Sequence, residues 1–336
     1  MRAYLVRRIG YMVLAWWILS VLIFIVIQLP PGDYLSTRLA ALRAEGLTLN
    51  ESEIENLRIY YGLDRTPVEQ YVNWITRFIR GDMGRSFGSY GGGSRRTVLS
   101  ILQEVVPPTI LVTSISLTFT YLIAVPIGIY SATHQYSIGD YAFTAVGFIG
   151  LATPNFMIAL MLMYFLFLVF GVSPGGLFSP EYLLAPWSLA KLWDMINHLW
   201  VPVAVVASAG TAGLIRVMRG VLLDELGKQY VITARAKGVP ERKLLFKYPV
   251  RMALNPIIST VGWTLPAIVS GSAITAIVLN IPMTGAVLLV ALRVQDMHLA
   301  GSILMVEAAL TIFGTLLSDV LLVVVDPRIR QERTAV

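Results

Sequence analysis

The sequence predicts an all-α membrane protein with six transmembrane helices, and three observations carry that prediction. Of 336 residues, 56% are hydrophobic and only 14% are charged, with a mean hydropathy of +0.70. Soluble domains carry about 45–50% apolar and about 25% charged residues. Six stretches reach the roughly 20 apolar residues that a helix needs to cross a bilayer core of about 30 Å. The third observation is the charge distribution: basic residues concentrate at the two ends and in one internal segment.

Composition also excludes several classes. The 26 basic and 20 acidic residues are too few to cover a soluble globule of this length. An ordinary cytosolic enzyme, a disordered chain and a nucleic-acid-binding domain are therefore set aside, despite a pI near 9.5. There is no Cys, so disulfide scaffolds and thiolate zinc sites fall away. His134, His198 and His298 are too scattered to form a metal cluster.

The predicted spans are 9–29, 106–130, 142–170, 199–217, 254–279 and 301–325. The first is too long for a signal-peptide core, and Gln28, Pro30 and Pro31 offer no small-residue cleavage site. Charge then sets the orientation. The segment 216–251 holds nine basic and three acidic residues, and four of the chain's five lysines. Arg2, Arg7 and Arg8 lie at one end of the chain, and Arg328, Arg330 and Arg333 at the other. Six spans put both termini and this segment on one side, which the positive-inside rule makes the cytoplasm.

The other side receives 30–105, where nine basic and nine acidic residues cancel. Asn50 with Glu53 resembles a capping box for a helix ending near Gly62. Pro67 suits a first helical position and Gly81 the position just past an end. Between them Val68, Tyr71, Ile75, Phe78 and Ile79 recur at helical spacing. Two short amphipathic helices are expected, packing on the span ends or touching cargo. The GSYGGG run from Gly88 to Gly93 reads as a flexible turn. The chain organisation that follows is an N-terminal region 1–105, a five-span core 106–325 with a cytoplasmic loop 218–251, and a tail 326–336.

Within that loop, Tyr230 to Lys237 has good helix formers and small residues, and Gly238 with Pro240 is a stop of the left-handed type. A second short helix begins near Pro240, with Leu244, Leu245 and Tyr248 on one face. The expected product is a helix–turn–helix elbow outside the bilayer. Its small residues admit a partner's groove, and its cations attract an acidic surface or the anionic leaflet. A basic loop lying on the membrane without a partner is the other reading.

The run Tyr230-Val-Ile-Thr-Ala-Arg-Ala-Lys-Gly238 resembles the EAA loop of binding-protein-dependent ABC importer permeases, in the form typical of the dipeptide/oligopeptide branch with its MetI-like fold. The same branch is matched by the Arg-bearing start, the Pro31-Gly32-Asp33 exit and Tyr61-Gly-Leu-Asp64. It is matched again by Arg80-Gly-Asp-Met-Gly-Arg-Ser-Phe87, Asp319 and Asp326-Pro-Arg-Ile-Arg330.

The resemblance implies a type I importer permease working as a heterodimer with a second permease subunit. Two cytoplasmic ATPase subunits would bind ATP and Mg, this chain binding no cofactor. An extracytoplasmic binding protein would deliver the cargo. It further implies that Thr233, Ala234, Arg235, Ala236, Lys237, Gly238 and Val239 contact an ATPase subunit. The motif's glutamate-alanine-alanine falls on Ile232, Thr233 and Ala234, so its acidic residue is absent. Peptides are the implied cargo; oligosaccharides, nickel chelates and glutathione are transported in the same branch, and the long external segment leaves room for a bulky ligand.

No catalytic or metal site is expected. Gly227-Lys228 lacks the upstream Gly and the following Ser or Thr of a phosphate loop. Within the spans, Glu307 and Asp319 are carboxylates at a depth where charge is costly. Glu307 departs from the family pattern and either lines the pathway or pairs with Arg293. Asp319 is a cap or an interfacial acceptor, or else takes part in transport. Asn155, beside Thr153-Pro154, and Ser270, Ser272 and Thr275, near Pro256, Gly262, Pro266 and Gly271, sit where helices bend or pack closely. They belong either to a gate lining the pathway or to a scaffold. His134 and His298 read as interfacial residues. An ion-driven secondary transporter needs paired intramembrane charges and related halves that the sequence lacks. A docking scaffold without transport is the remaining rival.

Overall fold

The computed structural model describes residues 2–29, 35, 39, 50, 52, 54–55, 59, 65–87, 90, 96–172 and 174–325. The predicted motifs at 31–33, 61–64 and 326–330 lie outside them. So does the helix expected between Asn50 and Gly62, apart from Ser52, Ile54, Glu55 and Ile59, each of which is helical. Only Tyr90 of the GSYGGG run is described.

Thirteen α-helices are described: α1 (Arg2–Gln28), α2 (Pro67–Ile79), α3 (Val98–Thr133), α4 (Ile138–Ala152), α5 (Asn155–Phe170), α6 (Leu189–Leu226), α7 (Gln229–Ala236), α8 (Glu241–Lys247), α9 (Pro249–Ser259), α10 (Val261–Gly271), α11 (Ala273–Val278), α12 (Thr284–Arg293) and α13 (Met297–Val325). Three stretches, Arg7–Gln28, Val98–Thr133 and Met297–Val323, are long and apolar enough to cross a membrane. Three bent helix pairs bring the number to six if each pair is one span. The chain divides into two units, Met1–Pro107 with Met283–Ile312, and Pro108–Pro282 with Phe313–Val336.

In the first unit, α2 begins as its sequence requires. Thr66 and Glu69 form a reciprocal capping box, Pro67 takes the first turn, and Gly81 follows the end at φ +80°. The inner face of α2 lies on α1 through aromatic rings. Phe24 meets Tyr71 at 5.4 Å and Trp74 at 6.1 Å, and Trp16 meets Phe78 at 5.8 Å. The core is built from Val98, Ile101 and Val105 of α3 against Val287 and Ala291 of α12 and Leu299 and Ile303 of α13. Helix α12, an apolar helix of ten residues, falls in the stretch that the sequence reading left as a connection.

The second unit departs from the predicted spans at three places. The span expected at 142–170 is two helices, α4 and α5, bent by 105°. Thr153 is extended (φ −98°, ψ 124°), the conformation that a following proline favours, and it ends α4. The span expected at 254–279 is divided among α9, α10 and α11, with a 44° bend between α9 and α10. The span expected at 199–217 belongs to the longer α6, bent by 48° between Ser208 and Gly210, which carries the helix on to Leu226. The loop expected to start at 218 therefore starts after this helix.

The second core joins α3, α6 and α9 through Ala124, Leu214, Met218, Leu222, Val250, Ala253 and Ile257. A Cβ on Gly128 would stand 2.6 Å from the Cβ of Met218, so glycine at this position sets how closely α3 and α6 approach.

Candidate functional site

The elbow predicted in the basic segment is present, and its local chemistry explains its shape. Helix α7 follows α6 after two residues and ends in a complete Schellman motif. The amide of Gly238 donates to the Arg235 carbonyl (3.0 Å) and the amide of Val239 to the Ala234 carbonyl (3.3 Å). Gly238 sits at φ +77°, where an L side chain is strained. The chain then reverses through Pro240 into α8, whose first turn closes with Leu244 donating to the Pro240 carbonyl (2.9 Å).

Three side chains bind the two short helices together. Val231 and Leu244 are fully buried and Ala234 is nearly so, with Val239 and Tyr248 packed against them. Val231 and Ala234 are one turn apart on α7, so one stripe of that helix faces α8. Across the turn, Arg235 makes a two-pronged ion pair with Glu241, Nε to Oε1 at 2.5 Å and Nη2 to Oε2 at 3.2 Å. The hydrogen bond from Arg235 holds the Glu241 carboxyl below the usual glutamate range. At the α6 end, the Tyr230 hydroxyl donates to the Glu225 carboxylate. Burial and that carboxylate raise the phenol above its ordinary value.

This geometry sorts the seven expected contact residues. Thr233, Arg235, Ala236, Lys237 and Gly238 are exposed at the tip and outer face. Ala234 is buried and Val239 half-buried, both against the inner cluster. The tip is thus small and cationic, with Ile232 and Phe246 exposed on the flanking helix faces, while the inner surface is apolar. The elbow hangs from α6 and α9, which pack on one another.

The polar positions expected at membrane depth fall in both units. Glu307, on α13 in the first unit, is half-buried and accepts a hydrogen bond from Thr284 Oγ1 at 3.0 Å; Thr284, not Arg293, is the partner it has. Asn155 opens α5 at the 105° bend and is half-buried. Ser272 is buried and its hydroxyl donates to the Val269 carbonyl at 3.0 Å. Thr275 is buried on α11, which packs on α5, and Ser270 is exposed. Asp319 is half-buried. His134 stacks on Tyr130 at 4.6 Å, and His298 lies 5.0 Å from the Phe87 ring with Nδ1 3.2 Å from the Arg85 carbonyl.

Two polar constellations were missed by sequence reasoning. Asp296 is fully buried and accepts from Ser86 Oγ (2.6 Å), the Phe87 amide (2.8 Å) and the Leu299 amide (3.1 Å). It pins the Arg80–Phe87 motif to the first turn of α13. In the second unit, the buried Asp140 receives Arg219 Nε at 3.1 Å and Nη2 at 3.0 Å, together with the Tyr136 amide at 3.1 Å. Only the Ser137-x-x-Asp140 capping pattern in the sequence pointed to it.

Comparison with known proteins places this geometry. Residues 124–331 match the family described as binding-protein-dependent transport system inner membrane component. The chain is 31% identical over 329 residues to the oligopeptide transport system permease protein AppB of Bacillus subtilis strain 168, covering 98% of this chain and 99% of that one. It is 29% identical over 276 residues to the oligopeptide transport system permease protein OppB of Mycobacterium tuberculosis H37Rv, covering 80% and 82%. With the inner membrane ABC transporter permease protein YejB of Escherichia coli O157:H7 it shares 27% identity over 365 residues, covering 98% and 99%.

Proposed function

The chain belongs to the binding-protein-dependent transport system inner membrane components, and we propose that it is the transmembrane permease subunit of an ATP-driven importer of di- or oligopeptides. The bent helix pairs each count as one span in this reading, giving six. The basic elbow and both termini face the cytoplasm of a bacterial inner membrane, as the positive-inside rule requires. The chain forms half of the pathway, with a second permease subunit as the other half. Two ATPase subunits hold ATP and Mg, and an extracytoplasmic binding protein supplies the cargo.

The observation that carries this reading is the elbow: a rigid tip of exposed Thr233, Arg235, Ala236, Lys237 and Gly238 over a buried Val231–Ala234–Leu244 core. Such a tip offers a partner close backbone approach and positive charge. When the ATPase pair closes, it moves as one body and carries α6 and α9 with it. The peptide cargo is supported by the names of the relatives in Bacillus and Mycobacterium.

The test reconstitutes permeases, ATPases and binding protein in liposomes, with Gly238→Pro or Ala236→Arg in this chain. Cargo-stimulated ATP hydrolysis and uptake are expected to fall at least tenfold while the subunits still co-purify. Normal coupled hydrolysis in both variants would defeat the docking assignment. Mass spectrometry of the ligand carried by the cognate binding protein tests the cargo: peptides are expected, and an oligosaccharide would overturn that part.

A further inference from the structure

The 105° bend between α4 and α5 has a consequence on the outside of the second unit. It leaves a trough of about 580 Å³ bordered by Ile123 and Ile127 of α3, Val146 and Ile149 of α4, and Met161 and Phe165 of α5. Its lining is almost wholly apolar, and α6 closes its floor with Ser208, Thr211, Ala212 and Ile215. A second hollow of about 280 Å³ continues it toward the elbow end of α6, sharing Phe143, Gly147, Ala212 and Ile215. Both volumes together fall within the about 300–1,000 Å³ typical of small-molecule sites.

The two hollows differ in chemistry. The second is rimmed by Tyr136, Tyr141, Asp140, Arg216 and Arg219. Arg219 is neutralised by Asp140 through two hydrogen bonds. Arg216 is exposed, lies 4.8 Å above the Phe148 ring and has no carboxylate partner among the described residues. An elongated apolar trough thus ends at a cation flanked by two exposed phenols, Tyr136 and Tyr141. The large apolar side chains beside it, Val146, Ile149 and Met161, are each more than 60% exposed.

We propose that this trough holds an anionic phospholipid, with an acyl chain between α3, α4 and α5 and the headgroup phosphate at Arg216. Charge complementarity selects this occupant, because a basic pocket between membrane helices suits an anionic headgroup. A zwitterionic lipid fills the trough equally well but gains less at Arg216. A bound lipid would brace α4 and α5 across their bend, level with Ser208 of α6. The proposal is independent of the cargo.

The experiment uses the whole complex in nanodiscs of equal phosphatidylglycerol and phosphatidylcholine, extracted and analysed by native mass spectrometry. The wild-type complex is expected to retain phosphatidylglycerol over phosphatidylcholine. Arg216→Gln should lower that preference about fivefold, one surface cation's share of the attraction to anionic lipid. Arg216→Lys should keep most of it, which separates charge from folding. Gly147→Leu, which fills the trough and leaves the charge, should lower retention of both lipids. The proposal is overturned if Arg216→Gln retains phosphatidylglycerol as wild type does, or if the two lipids are held equally. It is also overturned if a photo-crosslinker at Leu151, which lines the second hollow, captures the second permease subunit in place of lipid.

Discussion

Leu244→Ala tests whether the rigidity of the elbow, apart from its surface chemistry, transmits force. Leu244 is fully buried in the inner cluster and is a member of neither the exposed tip nor the Arg235–Glu241 ion pair. Burying a valine or leucine side chain stabilises by roughly 1.5–3 kcal/mol, so Val231 and Leu244 together supply roughly 3–6 kcal/mol to hold α7 on α8. A Leu→Ala change in a packed site costs about 2–5 kcal/mol, which is most of that. At the lower figure the open fraction of the elbow rises about 30-fold. Hydrogen exchange on the intact complex should show this directly, with the Gly238 and Val239 amides exchanging about 30-fold faster and those of α3 unchanged. Cargo-stimulated ATP hydrolysis and uptake should fall together, while the basal hydrolysis of the ATPase subunits persists. Full coupling in a complex whose elbow exchanges freely would refute the reasoning, because a loosened tip would then transmit force as well as a rigid one.

Three further outcomes follow from the same structure. Asp140→Asn takes the anion from Arg219, which is half-buried; loss of a charged hydrogen bond costs about 1.5–3 kcal/mol, and the thermal midpoint of the complex should drop while Glu241→Gln leaves it nearly unchanged. Glu307→Gln keeps an acceptor for Thr284 but deletes the charge, so uptake of cargo with a free ammonium group should fall several-fold with neutral cargo spared; equal uptake of both would remove Glu307 from the pathway. The Glu241 carboxyl is held below its ordinary range by Arg235, so its contribution to the elbow is fully present above that range and is lost as pH falls through the lowered value. Amide protection at Val239 should weaken over that acid window, and Glu241→Gln should abolish the pH dependence.

Local signals were legible wherever the deciding residues are neighbours in the chain. Pro67 and Gly81 announce α2, and Gly238 with Pro240 announces the elbow. Hydropathy located the apolar stretches but not their breaks. Helix α3 runs unbroken through Pro107, Pro108 and Pro126, whereas Pro154 ends a helix. The tertiary packing that satisfies freed carbonyls decides between these outcomes, and it is not written in the local sequence. Ala234 illustrates the same limit on the elbow. The resemblance set it among the expected contacts, and its position one turn from Val231 turns it inward onto Leu244. Asp296 and Asp140 were illegible for a different reason. The partners that give them meaning, Ser86 and Arg219, are 210 and 79 residues away.

The placement of rigid and broken elements bears on mechanism. The elbow is rigid by three independent devices: a Schellman closure, a buried cluster and a two-pronged ion pair. The helices that carry it are jointed. Helix α6 bends by 48° at Ser208–Gly210, and α9 meets α10 at 44° through Thr260. Thr260 hydrogen-bonds Tyr121 of α3 at 2.5 Å, so this joint is tied to a helix that is itself unbroken. A push on a soft tip would be absorbed in the tip. A push on a rigid tip passes along α6 and α9 to their bends; at Thr260, where the helix breaks between α9 and α10, a change of angle costs few backbone hydrogen bonds. Small displacements at the tip would thus become changes of helix direction at the joints, deeper in the same unit, and tightening the Thr260 joint should impede transport even with a perfect elbow.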